Sequence, residues 1–549
     1  MQRKMTQRGS WALFLLLFVL AAAPAAAQST IRILPATDEY AAAEIDGFLR
    51  RAQQLETEHR WGEALAIYED ALRDHPDEPT IGSRHNLAKI HYDLTRRYSD
   101  SSFVRTLSSL PERQALTLYS EVLAKIESHY VTAPDWAALV ERGTQDLGIA
   151  LADTDFQRQN LRGKSSVQVA SFSTQLRRQM QTREIRTRQD AANAVAAVVQ
   201  LGQQQLQLPA TAVAMEYACA AVGALDPYSS YLSGDQLNDV YSQIEGNFVG
   251  LGIELKAKSG ALQIVKVITA SPAERAGVRA GDRITEVDGK ATADMTTDQA
   301  ADLLQGQEGT SVSIVIVGAN EAARRLTVRR EHVEVPSVDD VKIIDRDFGV
   351  GYLKLTCFQK TTSKDLDAAL WKLHREGMRS LIMDLRGNPG GLLTSAVEVA
   401  DKFVEEGVIV STRGRSSLED YNYTAHKAGT WRVPLVVLID GDSASASEIF
   451  AGAIRDHRRG NLVGQRSYGK GSVQGIFALT LAGSGVRLTT AKFYSPNGAA
   501  ISHVGVQPDI KVQTSAKLTS TGDAPALDAA DDATLAAGVQ AARRQTARK

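Results

Sequence analysis

The chain has 549 residues, of which 43% are hydrophobic, and 62 lysines and arginines stand against 64 aspartates and glutamates for a net charge of −2. That is apolar material for three or four packed domains and excludes a disordered chain. The balanced charge leaves no global field for nucleic acid. The two cysteines, Cys219 and Cys357, are too few for a disulfide framework or a cysteine-based metal site, and either pair or stay as buried thiols.

In chain order, Arg3, Lys4 and Arg8 precede an apolar run from Trp11 to Ala23, and Ala25-Ala26-Ala27 offers small residues for cleavage. Residues 1–27 therefore read as a secretory signal peptide. The run falls short of the roughly 20 residues of a membrane span, and no cysteine follows it to carry a lipid. The expectation is a periplasmic or secreted protein with no integral span after cleavage, a retained anchor being the alternative. Residues 28–110 are helical in pattern. Trp61-Gly62-Glu63-Ala64-Leu65, Tyr68, Ala71-Leu72 and Pro76 resemble the second helix of a tetratricopeptide repeat, and Asn86-Leu87-Ala88 with His91-Tyr92 resembles the opening of another. One and a half units fall short of the three or so that such arrays need, so this piece leans on its neighbours and would serve as an adaptor or self-association surface.

Tyr98 to Arg113 reads as a Ser-rich connection. Residues 111–240 are helical, with Leu116, Leu118, Val122, Leu123 and Ile126 at 3.6 spacing. Within them, 150–207 is polar and reads either as helices covering the rest of the molecule or as an insertion. Val213 to Leu225 is small and apolar, and Leu225-Asp226-Pro227-Tyr228-Ser229-Ser230-Tyr231-Leu232 closes the region.

Residues 241–335 are β-rich. Phe248-Val249-Gly250-Leu251-Gly252-Ile253-Glu254-Leu255 alternates, Ile264 to Ile268 is a strand, and Ser271 to Gly277 starts a short helix. Gly281 to Gly289, the helix Thr297 to Gln305 and the strand Val312 to Val317 complete the set. This order resembles a PDZ domain, whose Gly-Leu-Gly-Ile loop binds a chain-terminal carboxylate on exposed backbone N–H groups. The resemblance assigns peptide binding to Gly250, Leu251, Gly252 and Ile253, with Leu304 lining the pocket, and implies protein or peptide partners with a free apolar C-terminus.

Residues 336–513 alternate strand and helix. A strand Val350–Leu355 and a helix Ser363–Gly377 precede the buried run Leu381-Ile382-Met383-Asp384-Leu385, which empties into Arg386-Gly387-Asn388-Pro389-Gly390-Gly391. Pro434 to Asp440 is a second buried strand. Ser443-Ala444-Ser445-Ala446-Ser447-Glu448 then opens a helix with the stripe Ile449, Phe450, Ala453 and Ile454, a basic end and Gly460 as its stop. Ser445 and Glu448 have capping-box spacing. The same junction suits a nucleophile, because the first helical N–H groups lack partners and favour negative charge. Two mechanistic motifs fail here: Gly441 to Ser445 lacks the second glycine of a Gly-x-Ser-x-Gly elbow, and Gly464-x4-Gly469-Lys470 lacks the Ser or Thr of a phosphate loop.

The serine cluster, followed 25 residues after Ser445 by Lys470 in Tyr468-Gly469-Lys470-Gly471-Ser472-Val473-Gln474, resembles the carboxyl-terminal processing, or tail-specific, serine proteases. The likeness runs from about Ala115 to Val512. It implies that Ser445 is the nucleophile, Lys470 the general base and Gln474 the group orienting the lysine, with Gly391 or its neighbour Gly390 and Ala446 forming the oxyanion hole. It implies no metal or cofactor. The fold expected is a multidomain α/β (α+β) chain: a helical N-terminal region, a PDZ domain and a mixed α/β core resembling the crotonase-like, tail-specific protease fold. Residues 514–549, rich in Ala, Asp and Thr, read as a mobile tail. The function implied is an exported serine endopeptidase that recognises protein tails. The rivals are an inactive PDZ and repeat scaffold, a ligand carrier on the same fold, and a Ser-His-Asp triad using His457 or His503. His457 lies 12 residues along the helix from Ser445, about 18 Å, too far to be its partner.

Overall fold

The computed structural model describes residues 38–75, 77–161, 163–258, 261–292, 297–318, 322–512 and 532–547, so the expected signal peptide lies outside it. Two compact units divide after Tyr92. In the first, the helices Asp38–Thr57 and Trp61–Asp74 and the start of Pro79–Ser99 bury Ala52, Ala64, Tyr68, Ala71, Ile81 and Ala88. Small residues let these helices close around one tyrosine ring, whose hydroxyl donates to Glu56 at 2.8 Å while Arg84 bonds the same carboxylate at 2.5 Å.

The second unit begins with helices that converge on Ala210–Gly223, an Ala- and Val-rich helix buried along most of its length. Its Glu216 is wholly buried and is met by Arg97 at 2.7 Å and the Tyr98 hydroxyl at 3.2 Å. The polar stretch 150–207 supplies Thr154–Asn160, Ser166–Gln181 and Arg188–Leu206, which send Phe156, Phe172, Leu176, Val195 and Val198 into this core. The connection expected over 98–113 is instead a helix, Ser101–Ser109. Asp100 caps it by accepting from the N–H groups of Ser102 and Phe103, and Phe103 and Leu107, one turn apart, are buried.

The β-rich domain has a core of its own. Strands Ile253–Lys258, Ala261–Val267, Arg283–Val287, Ser311–Val317 and Arg324–Arg329 stand in that order, with the helix Thr297–Leu304 against them. The expected set ended at Val317. The further strand escaped notice because arginines alternate with its inward Leu326 and Val328. A separate ribbon, Asn247–Gly250 antiparallel to Glu331–Glu334, flanks the domain at both ends.

The core sheet runs Val338–Asp345, Val350–Leu355, Ser380–Asp384, Leu435–Ile439, Asn461–Gly464, Ile510–Lys511, all pairs parallel except the first. One face packs the helices Thr362–Arg375, Leu393–Asp401 and Ala446–Asp456. The other receives Ala533–Ala547, which corrects that part of the mobile tail expected over 514–549, while 514–531 lie outside the described residues. Its stripe was hard to see because it is made of small residues that lie close to the sheet: a Cβ on Gly538 would stand 2.8 Å from Leu438. Arg543 fixes it to Asp345 at 2.6 Å, and Asp532 just ahead of it bonds Arg386 at 2.8 Å. A second sheet carries the hairpin Ser472–Ala478 and Gly485–Tyr494, beside which lie Ser230–Leu232 and Val408–Gly414. Both cysteines are free.

Candidate active site

Strand Leu435–Ile439 delivers the chain to Asp440, whose carboxylate accepts the N–H groups of Asp442, Ser443 and Gly387 and so folds the turn against the neighbouring strand end. Three serines follow at alternate positions, and their surroundings separate them. Ser443 and Ser447 are buried, and their hydroxyls donate to the carbonyls of Leu385 and Asn388, both at 2.9 Å. Ser445, between them, is partly exposed and takes φ 56° and ψ −114°, a conformation that costs a residue with a Cβ about 1–3 kcal/mol. The elbow motif was incomplete in the sequence, yet the backbone makes a sharp, strained turn at this serine. The helix proper is Ala446–Asp456 and so starts after Ser443, and Arg458, which has φ 50°, turns the chain out of it two residues before the expected glycine.

Gly390 and Gly391 explain how a second loop reaches this elbow. A Cβ on Gly390 would stand 2.8 Å from both the Ala446 nitrogen and the Ser445 Cβ, and one on Gly391 would stand 2.0 Å from the Phe358 oxygen. Only glycine permits that approach. The Gly390 N–H is taken by the Asn388 side chain at 2.9 Å. Among the described residues the N–H groups of Gly391 and Ala446 have no acceptor, the latter because it opens the helix.

Glu448 carries more of the site than a cap would. It is wholly buried, and its Oε2 accepts the Ser445 N–H and the Lys470 N–H, both at 2.8 Å, while Oε1 accepts the Ser467 hydroxyl at 2.6 Å and the Gly469 N–H at 2.7 Å. One carboxylate thus ties the serine elbow to the lysine loop. Burial raises its pKa, and the four donors oppose that rise. The Tyr468 N–H adds a bond to the Ser443 carbonyl at 3.0 Å. The sequence spacing pointed to Glu448 as the partner of Ser445 in a box, and only the fold brings the 467–470 backbone to it.

Lys470 is partly buried. Among the described residues its amine has no hydrogen bond or ion pair, and it lies 4.9 Å from the centre of the Tyr228 ring. Burial first, then the positive charge of Arg487, holds its pKa below the ordinary lysine range, against the opposing charges of Asp226 and Glu448. Gln474 does not meet this amine. Its nitrogen donates to the Ser472 hydroxyl at 2.8 Å and the Ser472 carbonyl at 3.2 Å, next to a register shift between Val473 and Gln474. Of the histidines, His457 Nε2 is engaged with the Val408 carbonyl at 2.7 Å, and His503 is exposed with its backbone N–H on Gly469.

In the β-rich domain a cavity of about 360 Å³ is lined by Leu251, Gly252, Ile253 and Leu304, as expected, together with Phe248, Leu255 and Gln305. Gly250 is not in its wall but is buried beneath the Phe248 ring, which leaves no room for a Cβ there. Gly252 has φ 82°, and a Cβ on it would meet Ser271 at 2.3 Å, so the loop requires glycine.

The model of peptidase family S41 matches residues 349–512, and that of the PDZ domain matches residues 263–318. Over 308 residues the chain is 40% identical to the carboxy-terminal-processing protease of Bartonella bacilliformis, a match covering 53% of this chain and 67% of that protein. A CtpA-like serine protease of Staphylococcus haemolyticus is 35% identical over 291 residues, 52% of this chain and 57% of the relative, so the chain spans little more than half of that protein. Among solved structures, the photosystem II D1 C-terminal processing protease is 24% identical, with 72% of this chain and 93% of that one covered at a TM-score of 0.39. The chain belongs to peptidase family S41, as a serine protease of the carboxy-terminal-processing kind with a PDZ domain.

Proposed function

We propose that this protein is an exported endopeptidase that takes the free C-terminus of a protein substrate in its PDZ pocket and hydrolyses a peptide bond upstream, with Ser445 as nucleophile and Lys470 as general base. The observation that carries this reading is the Glu448 carboxylate, which straps the lysine loop to the one serine of the cluster whose hydroxyl is not committed to a backbone carbonyl. The neutral Lys470 amine removes the Ser445 proton as Oγ adds to the scissile carbonyl. The resulting ammonium returns the proton to the leaving amine, and water then repeats the sequence on the acyl-enzyme. The N–H groups of Gly391 and Ala446 receive the oxyanion, each worth a few kcal/mol in the transition state. Depression of the Lys470 pKa makes the required neutral form accessible. Gln474, bonded to Ser472, is assigned no part in this step.

Export rests on the residue 1–27 pattern. Among the described residues no helix is long and apolar enough to cross a membrane. The test is cleavage of one unfolded reporter ending in a small apolar residue, with free and amidated C-termini, by the wild-type chain and Ser445→Ala. The free acid is expected to be cut faster and the variant to be inert. Equal rates for acid and amide would remove tail recognition, and an active Ser445→Ala would remove the nucleophile.

A further inference from the structure

A base that must be both held in place and able to lose its proton presents a problem of partners. A carboxylate or carbonyl would position the Lys470 amine but would stabilise the ammonium and keep the proton on it. Among the described residues the amine has no such oxygen as a hydrogen-bond or ion-pair partner and instead faces the ring of Tyr228, 4.9 Å from its centre. That ring is itself fixed. The Tyr228 N–H and the Ser229 N–H donate to Asp226 Oδ1 at 2.7 and 2.9 Å, and the Ser229 hydroxyl donates to Oδ2 at 3.0 Å. The Tyr228 carbonyl accepts from Arg487 Nε at 3.1 Å, and its hydroxyl meets that of Tyr468. Ser230, Tyr231 and Leu232 then pair with Arg487, Val486 and Gly485, so the turn is sewn to Gly485–Tyr494, the second strand of the hairpin that follows the lysine loop.

We propose that Tyr228 is a positioning residue for the Lys470 amine: its ring face holds the amine without supplying an oxygen that would keep the proton, and the same turn sets Arg487 as a like charge nearby. The inference rests on Lys470 being the base. An aromatic face attracts an ammonium less strongly than an anion does, so it localises the group at little cost to deprotonation, and its bulk keeps water away. The charged groups facing the amine are Arg487, which favours the neutral form, and Asp226 and Glu448, which oppose it. Asp226 and Glu448 are occupied by the Tyr228–Ser229 turn and by the 445, 467, 469 and 470 donors, respectively.

The experiment is the pH dependence of kcat/KM on one peptide for the full chain and for Tyr228→Phe, Tyr228→Gln and Tyr228→Ala, each checked for folding by circular dichroism. Phenylalanine keeps the ring face, so its profile should superimpose on the wild type. Glutamine offers an oxygen and alanine admits water. In both, the acidic limb should rise by about one unit, with a roughly tenfold loss at pH 7 that is regained at higher pH. If alanine does not fold, the glutamine variant, which keeps more of the side chain, decides. A wild-type limb with glutamine or alanine, or a loss uniform across pH, overturns the inference, as does a shifted limb with phenylalanine, which would move the role to the hydroxyl. An active Lys470→Arg, assayed alongside, would instead take the base assignment from Lys470, so the two failures are told apart.

Discussion

The molecule holds two glycine-lined sites of opposite construction. The serine elbow and lysine loop are set at the end of the core sheet, joined through a buried carboxylate with four donors, and helices back that sheet on both faces. The PDZ pocket belongs to a domain with a separate core, flanked by the 247–250 and 331–334 ribbon. Both ends of that ribbon meet the protease core at Gln359 and Lys360. Gln359 donates to the Val335 carbonyl at 2.5 Å, Val335 to that of Gly246 at 2.9 Å, and the Lys360 N–H to that of Ile244 at 3.1 Å. Exposed ion pairs Lys360–Glu245 and Lys266–Asp339 complete the connection. On the proposed function, the chemistry sits inside the buried, strapped core, and recognition sits in a domain joined to it by a short ribbon, a few hydrogen bonds and exposed ion pairs.

That contrast is broken or sharpened most directly by separating the two sites. Lys470→Arg keeps the charge but cannot serve as a base. It should lose on the order of 10²–10⁴-fold in kcat/KM, as should Lys470→Ala, while binding of a tail peptide, measured by fluorescence anisotropy, stays unchanged. In the wild type the rate should rise with pH. The base works deprotonated, and its pKa is depressed, so the climb should fall below the ordinary lysine range. Loss of tail binding in Lys470→Arg would show that the sites are not separable.

The reverse change is Gly252→Val, which adds side-chain atoms where even a Cβ meets Ser271 at 2.3 Å, on a backbone with φ 82°. Peptides with free and amidated C-termini should then be cut at equal rates, a roughly tenfold loss for the free acid at the scale of one buried anion contact. Labelling of Ser445 by a small fluorophosphonate should proceed as in the wild type. Slowed labelling would mean that the pocket loop supports the elbow.

Much of both sites was legible because it is local. Apolar runs ending in glycine marked the strand Leu435–Ile439 and the Gly390-Gly391 turn, whereas the pairing of Ser445 with Lys470 came from the resemblance to the tail-specific proteases and not from local pattern. What escaped depends on partners far away in the chain or on side chains that disguise their pattern. Nothing in Leu225 to Leu232 shows that Tyr228 will face a lysine 242 positions later; that follows from the pairing of Ser230–Leu232 with the strand carrying Arg487. The helix Ala533–Ala547 was misread because alanine and glycine bury little area each and carry a weak apolar signal. The bonding of Gln474 to Ser472 was not readable because spacing along a strand does not reveal a register shift beside it.

Within the catalytic core, Glu448→Gln probes the strap. An amide has one acceptor oxygen, so two of the four donors would face an NH₂ group, and an unsatisfied buried donor costs about 1–3 kcal/mol. Denaturant melts should show that loss, and fluorophosphonate labelling should slow. A variant as stable and as reactive as the wild type would mean the carboxylate only fills space.

The smallest effect is expected at the junction of the two regions. Lys266, on the PDZ strand Ala261–Val267, pairs with Asp339 of the core sheet at 2.5 Å, and both side chains are about half exposed. Pairs of that kind contribute about 0–1 kcal/mol, because solvent and salt screen them and two long side chains must be ordered. Lys266→Ala should therefore leave the melting temperature within about 2 °C and the free-acid to amide rate ratio within about fivefold at low salt. The difference from wild type should vanish in 1 M salt, where screening has already removed the pair. A larger fall in that ratio, abolished by salt in the wild type as well, would mean that the ion pair rather than the ribbon and Gln359 holds the PDZ domain in register with the active site.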